Sequence, residues 1–186
     1  MIVGEEELRK EAIKLAAHLL AISARTAPKS KGEDDVEIVY VDGEELEKIA
    51  DKMVELAGEK GRDKDFVRDA EGVRKSQAVL LIGVNGGKAL GLNCGACGFD
   101  CNEFKKIERK KGKDFVGPNC LFKLLDLGIA LGSAVKLAGI ISVDNRIMYR
   151  IGTAAKMLGY AKADVVMGIP LTALGKNPFF DRVVKK

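Results

Sequence analysis

Hydrophobic residues recur every three or four positions in several stretches of the chain, and this spacing predicts amphipathic helices. The first stretch covers residues 5–23 and places four apolar side chains on one face: Leu8, Ala12, Leu15 and Leu19. A second helix is predicted over residues 44–60, and a shorter third helix ends near Lys75. Two more are predicted over residues 121–138 and 145–158, the latter with Asp144 as its N-cap.

Three shorter stretches have the composition of strands. Residues 36–41 are rich in β-branched side chains and end at a turn, Asp42-Gly43. Residues 78–84 (AVLLIGV) are continuously apolar, which predicts a strand covered on both faces. Residues 163–169 form the last predicted strand, with Pro170 as its stop. Helices therefore outnumber strands and cover a small sheet, as in a layered domain.

The 186 residues suit one domain, or one domain with a small inserted module. No stretch approaches the run of about 20 apolar residues that spans a bilayer, and the acidic, amphipathic start is unlike a secretory signal. We therefore expect a cytoplasmic protein with no membrane segment. The net charge of +4 is too small to predict nucleic-acid binding. The densest basic run, residues 105–113, is interpreted as a solvated helix face or as a docking site for an acidic electron partner.

Four cysteines, Cys94, Cys97, Cys101 and Cys120, have the spacing C-x2-C-x3-C-x18-C. Two disulfides fit poorly, because three cysteines so close in sequence pair badly and a cytoplasmic compartment is reducing. Structural zinc usually takes two ligands from each of two tight turns. A three-plus-one division is typical of ferredoxin-like ligation. The spacing therefore favours an iron–sulfur cluster, [4Fe–4S] first, over zinc or free thiols.

The residues between the cysteines fit this interpretation. Gly95, Ala96 and Gly98 are small, so the backbone can approach inorganic sulfur. Cys101 is predicted to open a short helix whose positive end faces the cluster. The only histidine, His18, is assigned to the border or solvent side of the first helix. With a single histidine, a zinc site that needs two histidines is excluded.

The cysteine segment resembles a known iron–sulfur module. Cys94-Gly95-Ala96-Cys97-Gly98-Phe99, followed by Cys101 and Cys120, resembles the four-iron domain of Rnf-type electron-transport subunits. Those subunits usually have one more residue between the second and third cysteines.

Nearly end to end, the chain resembles the prokaryotic family of ferredoxin-domain-containing proteins. The resemblance lies in LNCGACGFDC (92–101), GPNC (117–120), DLGIALGSAVKLA (126–138), VDNRIMYRIGTAAKMLG (143–159) and GIPLTALGKNPFFDR (168–182). That family implies an iron–sulfur site but no particular reaction.

The flanking regions also resemble nitroreductases, which are flavin enzymes and usually intertwined homodimers. ARTAPKSKG (24–32) resembles their flavin-contacting loop, and GIPLTALGKNPFFDR resembles their closing strand and basic tail. The resemblance implies an α+β fold of layered helices and a small mixed sheet. Residues 1–186 would form one domain, with residues 88–122 as an inserted iron–sulfur module. The resemblance to nitroreductases also implies an FMN site near six residues: Arg25, Ala27, Pro28, Ser30, Lys176 and Arg182. The Arg-Ser-x-Arg segment that grips the flavin phosphate in nitroreductases is not found before residue 23.

These observations support three functional hypotheses. The first is a homodimeric redox protein whose cluster passes electrons to or from a bound flavin, a partner protein or a small-molecule acceptor. A flavin-dependent oxidoreductase would fit, but no side chain stands out as a proton donor or nucleophile, so no catalytic residue is assigned. The second is a non-catalytic iron–sulfur sensor or assembly subunit. The third is a zinc-stabilised binding module.

Overall fold

The computed structural model describes residues 1–62 and 64–180. Its α-helices are α1 (Glu5–Thr26), α2 (Glu44–Ala57), α3 (Asp65–Arg74), α4 (Cys101–Lys106), α5 (Leu121–Ile140) and α6 (Tyr149–Met157). Its strands are β1 (Val36–Asp42), β2 (Ala78–Val84), β3 (Lys110–Lys111), β4 (Val116–Gly117), β5 (Asp144–Asn145) and β6 (Val165–Thr172). A 3-10 turn, Ser30–Gly32, lies between α1 and β1. No helix in the two described ranges is long and apolar enough to cross a membrane.

Four strands form one sheet in the order β1-β2-β6-β5, and β3 pairs with β4 in a separate hairpin. Along β2, Ala78 lies opposite Asp42 and Leu171, while Val84 lies opposite Val36 and Val165. We refer to these as the Ala78 end and the Val84 end of the sheet. The α+β fold with layered helices is confirmed. The sheet is antiparallel rather than mixed, because β2 starts at the end where β1 stops and β6 starts at the end where β2 stops.

Helices cover both faces of this sheet. On one face α1 and α5 pack against Leu80 and Ile82 of β2, and on the other α2, α3 and α6 form a second core that includes Val79 and Leu81. Alternate side chains of a strand point to opposite faces, so β2 contributes to both cores. All of its residues are buried. The prediction of a strand covered on both sides is confirmed.

Helix α1 packs with a different face from the predicted one. Its buried residues are Ile13, Ala16, Ala17, Leu20 and Ala24. Leu8, Leu15 and Leu19, predicted to face the core, are exposed by 53%, 61% and 41%. The small residues on the buried face let α1 approach α5 closely, and the hydroxyls of Ser23 and Ser133 lie 2.8 Å apart between the two helices. His18 is exposed, as predicted.

The start of α6 differs from the prediction. Asp144 does not cap the helix but pairs with Thr172 in the sheet, as part of β5. The helix begins only at Tyr149, after Met148 has formed a bridge to Gly168. Residues 144–148, whose local sequence is compatible with a helix start, therefore pair with the edge of the sheet instead.

Strand β6 also differs, because it continues through Pro170 to Thr172. The N–H of Gln77 donates to the carbonyl of Leu171 at 3.0 Å, so the backbone polar groups of Leu171 point towards β2. Those of the preceding residue, Pro170, point towards β5. On that side Pro170 lies between the β5 pairing and the Met148 bridge, where a missing N–H interrupts no ladder bond.

Candidate functional site

The four cysteines come together at the Val84 end of the sheet, in the long connection between β2 and α5. All four line one cavity. Cys94 is exposed, Cys97 and Cys101 are half-buried, and Cys120 is buried, and all are free thiols. The rest of the cavity wall is mainly apolar and includes Leu90, Leu92, Phe99, Phe104 and Phe122. The structure thus places all four predicted ligands around one cavity.

Glycines and one asparagine give the loop its tight path around the cavity. Gly91, Gly95 and Gly98 have φ values of 79°, 68° and 89°, a region that residues with a Cβ rarely adopt. Asn93 shares this conformation at φ 51°. Its side-chain oxygen accepts the N–H of Cys101 at 2.9 Å, and its own N–H donates to the Cys101 sulfur at 3.2 Å. The second contact is of the kind that tunes a thiolate ligand.

Cys101 opens α4, as predicted, but the first donors of this helix are bound within the chain. The Asp100 carboxylate accepts the N–H groups of Asn102 at 2.7 Å and Glu103 at 2.9 Å. The Glu103 carboxylate in turn accepts the N–H of Asp100 at 3.0 Å. This capping box fixes Cys101 in position. The N–H groups of Asn102 and Glu103, at the positive end of α4, are therefore bound to Asp100.

Cys120 is held by the sheet and by α5 rather than by the loop. Its N–H donates to the carbonyl of Gly86 at 2.8 Å, just beyond the end of β2. It also occupies the N-cap of α5, a helix of 20 residues. The positive end of a long helix stabilises negative charge at its first turn. One of the four sulfurs therefore comes from the rigid part of the fold.

A polar cluster fastens the cysteine segment to the sheet, and we call it the Arg109 clasp. Arg109 donates to the Asp164 carboxylate at 2.7 Å and to the side-chain oxygen of Asn119 at 3.2 Å. The N–H of Gly87 donates to the same Asp164 oxygen at 3.2 Å. A Cβ at position 87 would lie 1.7 Å from the Arg109 guanidinium, so a side chain there would push Arg109 away from Asp164.

Lys123, in the first turn of α5, forms a buried ion pair that the sequence analysis missed. Its side chain has 0% exposure, and its Nζ lies 2.6 Å from Asp35 Oδ2. The contact is an ion pair without hydrogen-bond alignment, and Nζ donates to the carbonyl of Glu33 at 3.1 Å. Lys88 approaches from outside, with its Nζ 2.8 Å from Glu33 Oε2. The hydrogen bond and charge of Lys88 hold the pKa of Glu33 below its usual value.

Asp126, one turn further along α5, is buried to 1% exposure. Its Oδ1 accepts the N–H of Ser30 at 2.9 Å and the Ser30 hydroxyl at 2.8 Å. Within the described chain, its other oxygen is buried without a hydrogen-bond partner. Lys123 and Asp126 share the buried face of α5 with Leu127 and Ala130. Two charges on an otherwise apolar helical face were the signal that could have revealed this cluster.

The residues predicted to contact a flavin fall into two groups, and the first lies at the Val84 end. Arg25 donates to Asp34 Oδ2 at 2.6 Å and to a backbone carbonyl at 2.9 Å. Ala27 is buried and Pro28 is exposed, and Ser30 is bound to α5 as described. Burial raises the pKa of the Asp34 carboxyl, but hydrogen bonds from Arg25 and from a backbone N–H hold it below its usual value. The four residues are neighbours, and two of them already have partners.

The second group lies at the other end of the sheet. Lys176 follows Thr172 at the Ala78 end, and Phe179 anchors this tail in the core with 3% exposure. The two ends of β2 are separated by six residue steps, or about 20 Å. Lys176 is therefore not brought to Ser30 within one chain. Arg182 lies outside the described residues.

The four thiols of the cavity are the type of ligand that iron–sulfur clusters use. Three thiols come from a glycine-rich loop and one from a helix start, around a largely apolar cavity. Among residues 1–62 and 64–180, no group of three or more His, Cys, Asp or Glu side chains is arranged to hold a metal ion.

The fold is similar to that of flavin-binding nitroreductases over nearly the whole chain. A nitroreductase with bound FMN from Desulfitobacterium hafniense has a TM-score of 0.54 at 12% identity, covering 95% of this chain and 81% of that one. The NADPH:FMN oxidoreductase from Vibrio harveyi, complexed with NAD+, has a TM-score of 0.52 at 14% identity, covering 100% of this chain and 66% of that one. At such identities the similarity shows the fold alone. The protein is thus an α+β protein of the nitroreductase fold with a cysteine-lined cavity.

Sequence similarity identifies the family. Residues 116–182 match the family described as "uncharacterized protein containing a ferredoxin domain" (DUF2148). An uncharacterized protein of Archaeoglobus fulgidus is 64% identical over 187 residues, which cover all of both chains. The protein belongs to this ferredoxin-domain family, as its sequence predicted. The matched segment includes Cys120 and begins after the other three cysteines. The family and the fold together point to a redox role, and the ferredoxin domain points to an iron–sulfur cofactor.

Proposed function

We propose that the protein is an iron–sulfur redox protein in which Cys94, Cys97, Cys101 and Cys120 bind a [4Fe–4S] cluster. The observation that carries this proposal is that all four cysteines line one cavity. A cluster of this type takes a thiolate on each iron and supplies one-electron chemistry. The three-plus-one spacing in the sequence corresponds to three sulfurs on one loop and a fourth at the start of α5.

The residues around the cavity would control the cluster's surroundings. Leu90, Phe104 and Phe122 line it and limit the access of water, which together with N–H···S bonds sets a reduction potential. The N–H of Asn93, directed at the Cys101 sulfur, is one such bond. Cys94 is exposed, so the cavity is open to the outside on its side.

We further propose that the cluster exchanges electrons with FMN bound between two copies of the chain. The FMN in the Desulfitobacterium protein of similar fold supports this proposal. The site would combine Arg25, Ala27, Pro28 and Ser30 of one copy with Lys176 and Arg182 of the other. A two-fold axis through the α1–α5 layer would bring the Ala78 end of one sheet to the Val84 end of the other.

The outer surface of α1 and α5 supports a homodimer. Its exposed apolar residues are Leu8, Leu15, Leu19 and Ile22 on α1 and Leu121, Leu124, Leu125, Ile129 and Ile140 on α5. A patch of this kind usually marks an interaction site. Gly128 and Gly132 lie on α5 with no atom within 4 Å of their Cβ positions, so a second helix can approach there. We call this surface the α1–α5 face.

Anaerobic purification followed by chemical analysis tests the proposal. Iron and acid-labile sulfide in equal amounts, with visible absorbance that dithionite bleaches, are expected of the cluster. Released FMN would support electron exchange with a flavin. Iron and sulfide without flavin would favour a sensor, an assembly subunit or transfer to a partner protein or small acceptor. Zinc without sulfide would contradict the proposal.

The remote ligand has its own test. Cys120→Ser should lower iron and sulfide content severalfold, because serine is a poor ligand for a cluster that binds thiolates. Leu92→Ala is the matched control, since Leu92 lines the same cavity but carries no donor atom. Unchanged iron and sulfide in Cys120→Ser would show that this cysteine is not a ligand.

The dimer is tested separately from the cluster. Leu125→Asp places a charge on the α1–α5 face and should give a monomer in analytical ultracentrifugation, without FMN but with iron and sulfide retained. Val67→Asp is the control, because Val67 is similarly exposed at 44% but lies on α3, in the opposite layer. Dimers in both variants would exclude the α1–α5 face as the interface.

A further inference from the structure

A second, open groove lies beside the cysteine cavity. It has a volume of about 610 Å³ and is lined mainly by Phe99, Ile107, Phe115, Val116 and Pro118. All five are half-buried, so the groove presents apolar surface to the outside. We call it the module groove. It has room for several side chains of another molecule.

The rim of the module groove is strongly basic. Residues 105–113 include six lysines or arginines and one glutamate, a net charge of +5 against +4 for the whole chain. Lys110 lines the groove, and Lys106, Lys111 and Lys113 adjoin residues that line it. In the described chain, Lys105, Lys106, Lys110 and Lys111 are exposed and have no ion-pair partner. Their positive charge is therefore available to a ligand. The excess of positive charge is concentrated in this segment and is not spread over the whole surface.

The groove also adjoins the cysteine cavity. Phe99 lines both, and it lies between Cys97 and Cys101 in the sequence. Asn119, which also lines the groove, directly precedes Cys120. Phe99 and Asn119 therefore place the groove next to the cysteine segment.

We propose that the module groove and its lysine rim are the docking site for a small acidic electron-carrier protein. This inference rests on the proposed cluster and names the partner from which the cluster would receive electrons or to which it would give them. An apolar centre with a charged rim is the usual composition of a transient protein interface. Opposite charges on the two partners would steer the encounter and orient the carrier's cofactor towards Phe99. A nucleic acid would use the charge and could stack a base on Phe99 or Phe115, but the aliphatic Ile107, Val116 and Pro118 offer it no polar contact.

Binding of reduced flavodoxin, a small acidic carrier, to the iron-loaded protein tests this inference. The variant Lys106→Glu/Lys110→Glu reverses two charges at the groove, and its Kd should rise about tenfold at about 0.1 M salt, since exposed pairs contribute modestly and add. At about 0.5 M salt the difference should fall below about twofold because surface charges are screened. Ile107→Ser removes part of the apolar floor and should weaken binding at both salt concentrations.

The control Lys10→Glu/Lys75→Glu makes the same change in net charge at exposed lysines near the Ala78 end. At about 0.1 M salt its Kd should stay within about twofold of the parent value, since the two ends of β2 are about 20 Å apart and the screening length is then about 10 Å. An equal loss of affinity in the control and groove variants would mean that net charge, not this surface, governs binding, and would overturn the inference.

Iron and sulfide are measured on each sample so that the two proposals can fail separately. Normal iron and sulfide with unchanged flavodoxin binding in the groove variant would overturn the docking site and leave the cluster intact. Absence of iron and sulfide in the parent would overturn the cluster and the docking inference with it. Loss of oligonucleotide binding in the groove variant, with flavodoxin binding unaffected, would assign the surface to nucleic acid instead.

Discussion

Replacing Lys123 should reveal how strongly the start of α5 depends on its buried ion pair. In Lys123→Met the Asp35 carboxylate loses its partner at 2.6 Å, but it is 21% exposed and keeps Lys88 Nζ at 3.8 Å. Breaking a fully buried pair costs about 3–5 kcal/mol, so we expect about 2–3 kcal/mol for this variant. In Asp35→Asn the ammonium stays at 0% exposure and keeps only the Glu33 carbonyl at 3.1 Å and the Glu33 carboxylate at 4.0 Å among described partners, so we expect a loss of about 3–5 kcal/mol.

The double variant separates the interaction from the two desolvation costs. Lys123→Met/Asp35→Asn leaves neither charge buried alone, so its loss should be smaller than the sum of the single losses by about 2 kcal/mol or more. Urea unfolding of the metal-free full chain measures these free energies, because a bound cofactor would break two-state behaviour. The chain has no tryptophan, so circular dichroism and the fluorescence of its 3 tyrosines serve as probes.

Two results would refute this reasoning. A coupling below about 0.5 kcal/mol would mean that Lys123 and Asp35 are solvated independently, as surface pairs are. A larger loss in Lys123→Met than in Asp35→Asn would mean that the carboxylate, not the ammonium, is the more deeply buried charge.

Two further predictions concern packing and pH. Gly152→Ala should destabilise the fold by about 1–3 kcal/mol, because the new Cβ would lie 1.9 Å from the backbone oxygen of Val166. The control Gly139→Ala has no atom within 4 Å of its new Cβ and should be neutral or stabilising by up to about 1 kcal/mol. Thermal unfolding of both variants measures the difference. The pKa of Asp34 is lowered in the folded protein, so the stability that it contributes is present above its unfolded pKa near 3.8 and is lost as the pH falls through the folded value. Arg25→Gln should raise this pKa, and NMR titration of the Asp34 carboxyl would contradict the assignment if it found no change.

The elements whose local sequence and tertiary environment agree were predictable. The run of apolar residues in β2 predicted burial on both faces because only a central strand needs no polar side, and α5 followed from its helical period. The cysteine spacing predicted a common site, and the four side chains do line one cavity.

The predictions that failed concern features that tertiary contacts determine. Helix α1 has apolar residues on more than one face, and periodicity does not tell which face packs inside its own chain. Asp144 and Pro170 have local preferences for helix capping and strand termination, but pairing at the edge of the sheet outweighed both. Lys123 and Asp35 are far apart in sequence, so their pairing has no local signal.

The hydrogen bond from Cys120 to Gly86 also bears on how this architecture can vary among relatives. It joins the two points at which the chain leaves and re-enters the sheet-and-helix frame, with the 33 residues of the excursion between them. The length of that excursion is therefore not constrained by the distance it must span, and lengthening such a loop costs little entropy. A relative can lose the excursion to a short turn, or acquire a longer one, while β2 and α5 stay where they are. The redox centre would then be the exchangeable part of the molecule, and the layered frame its constant host.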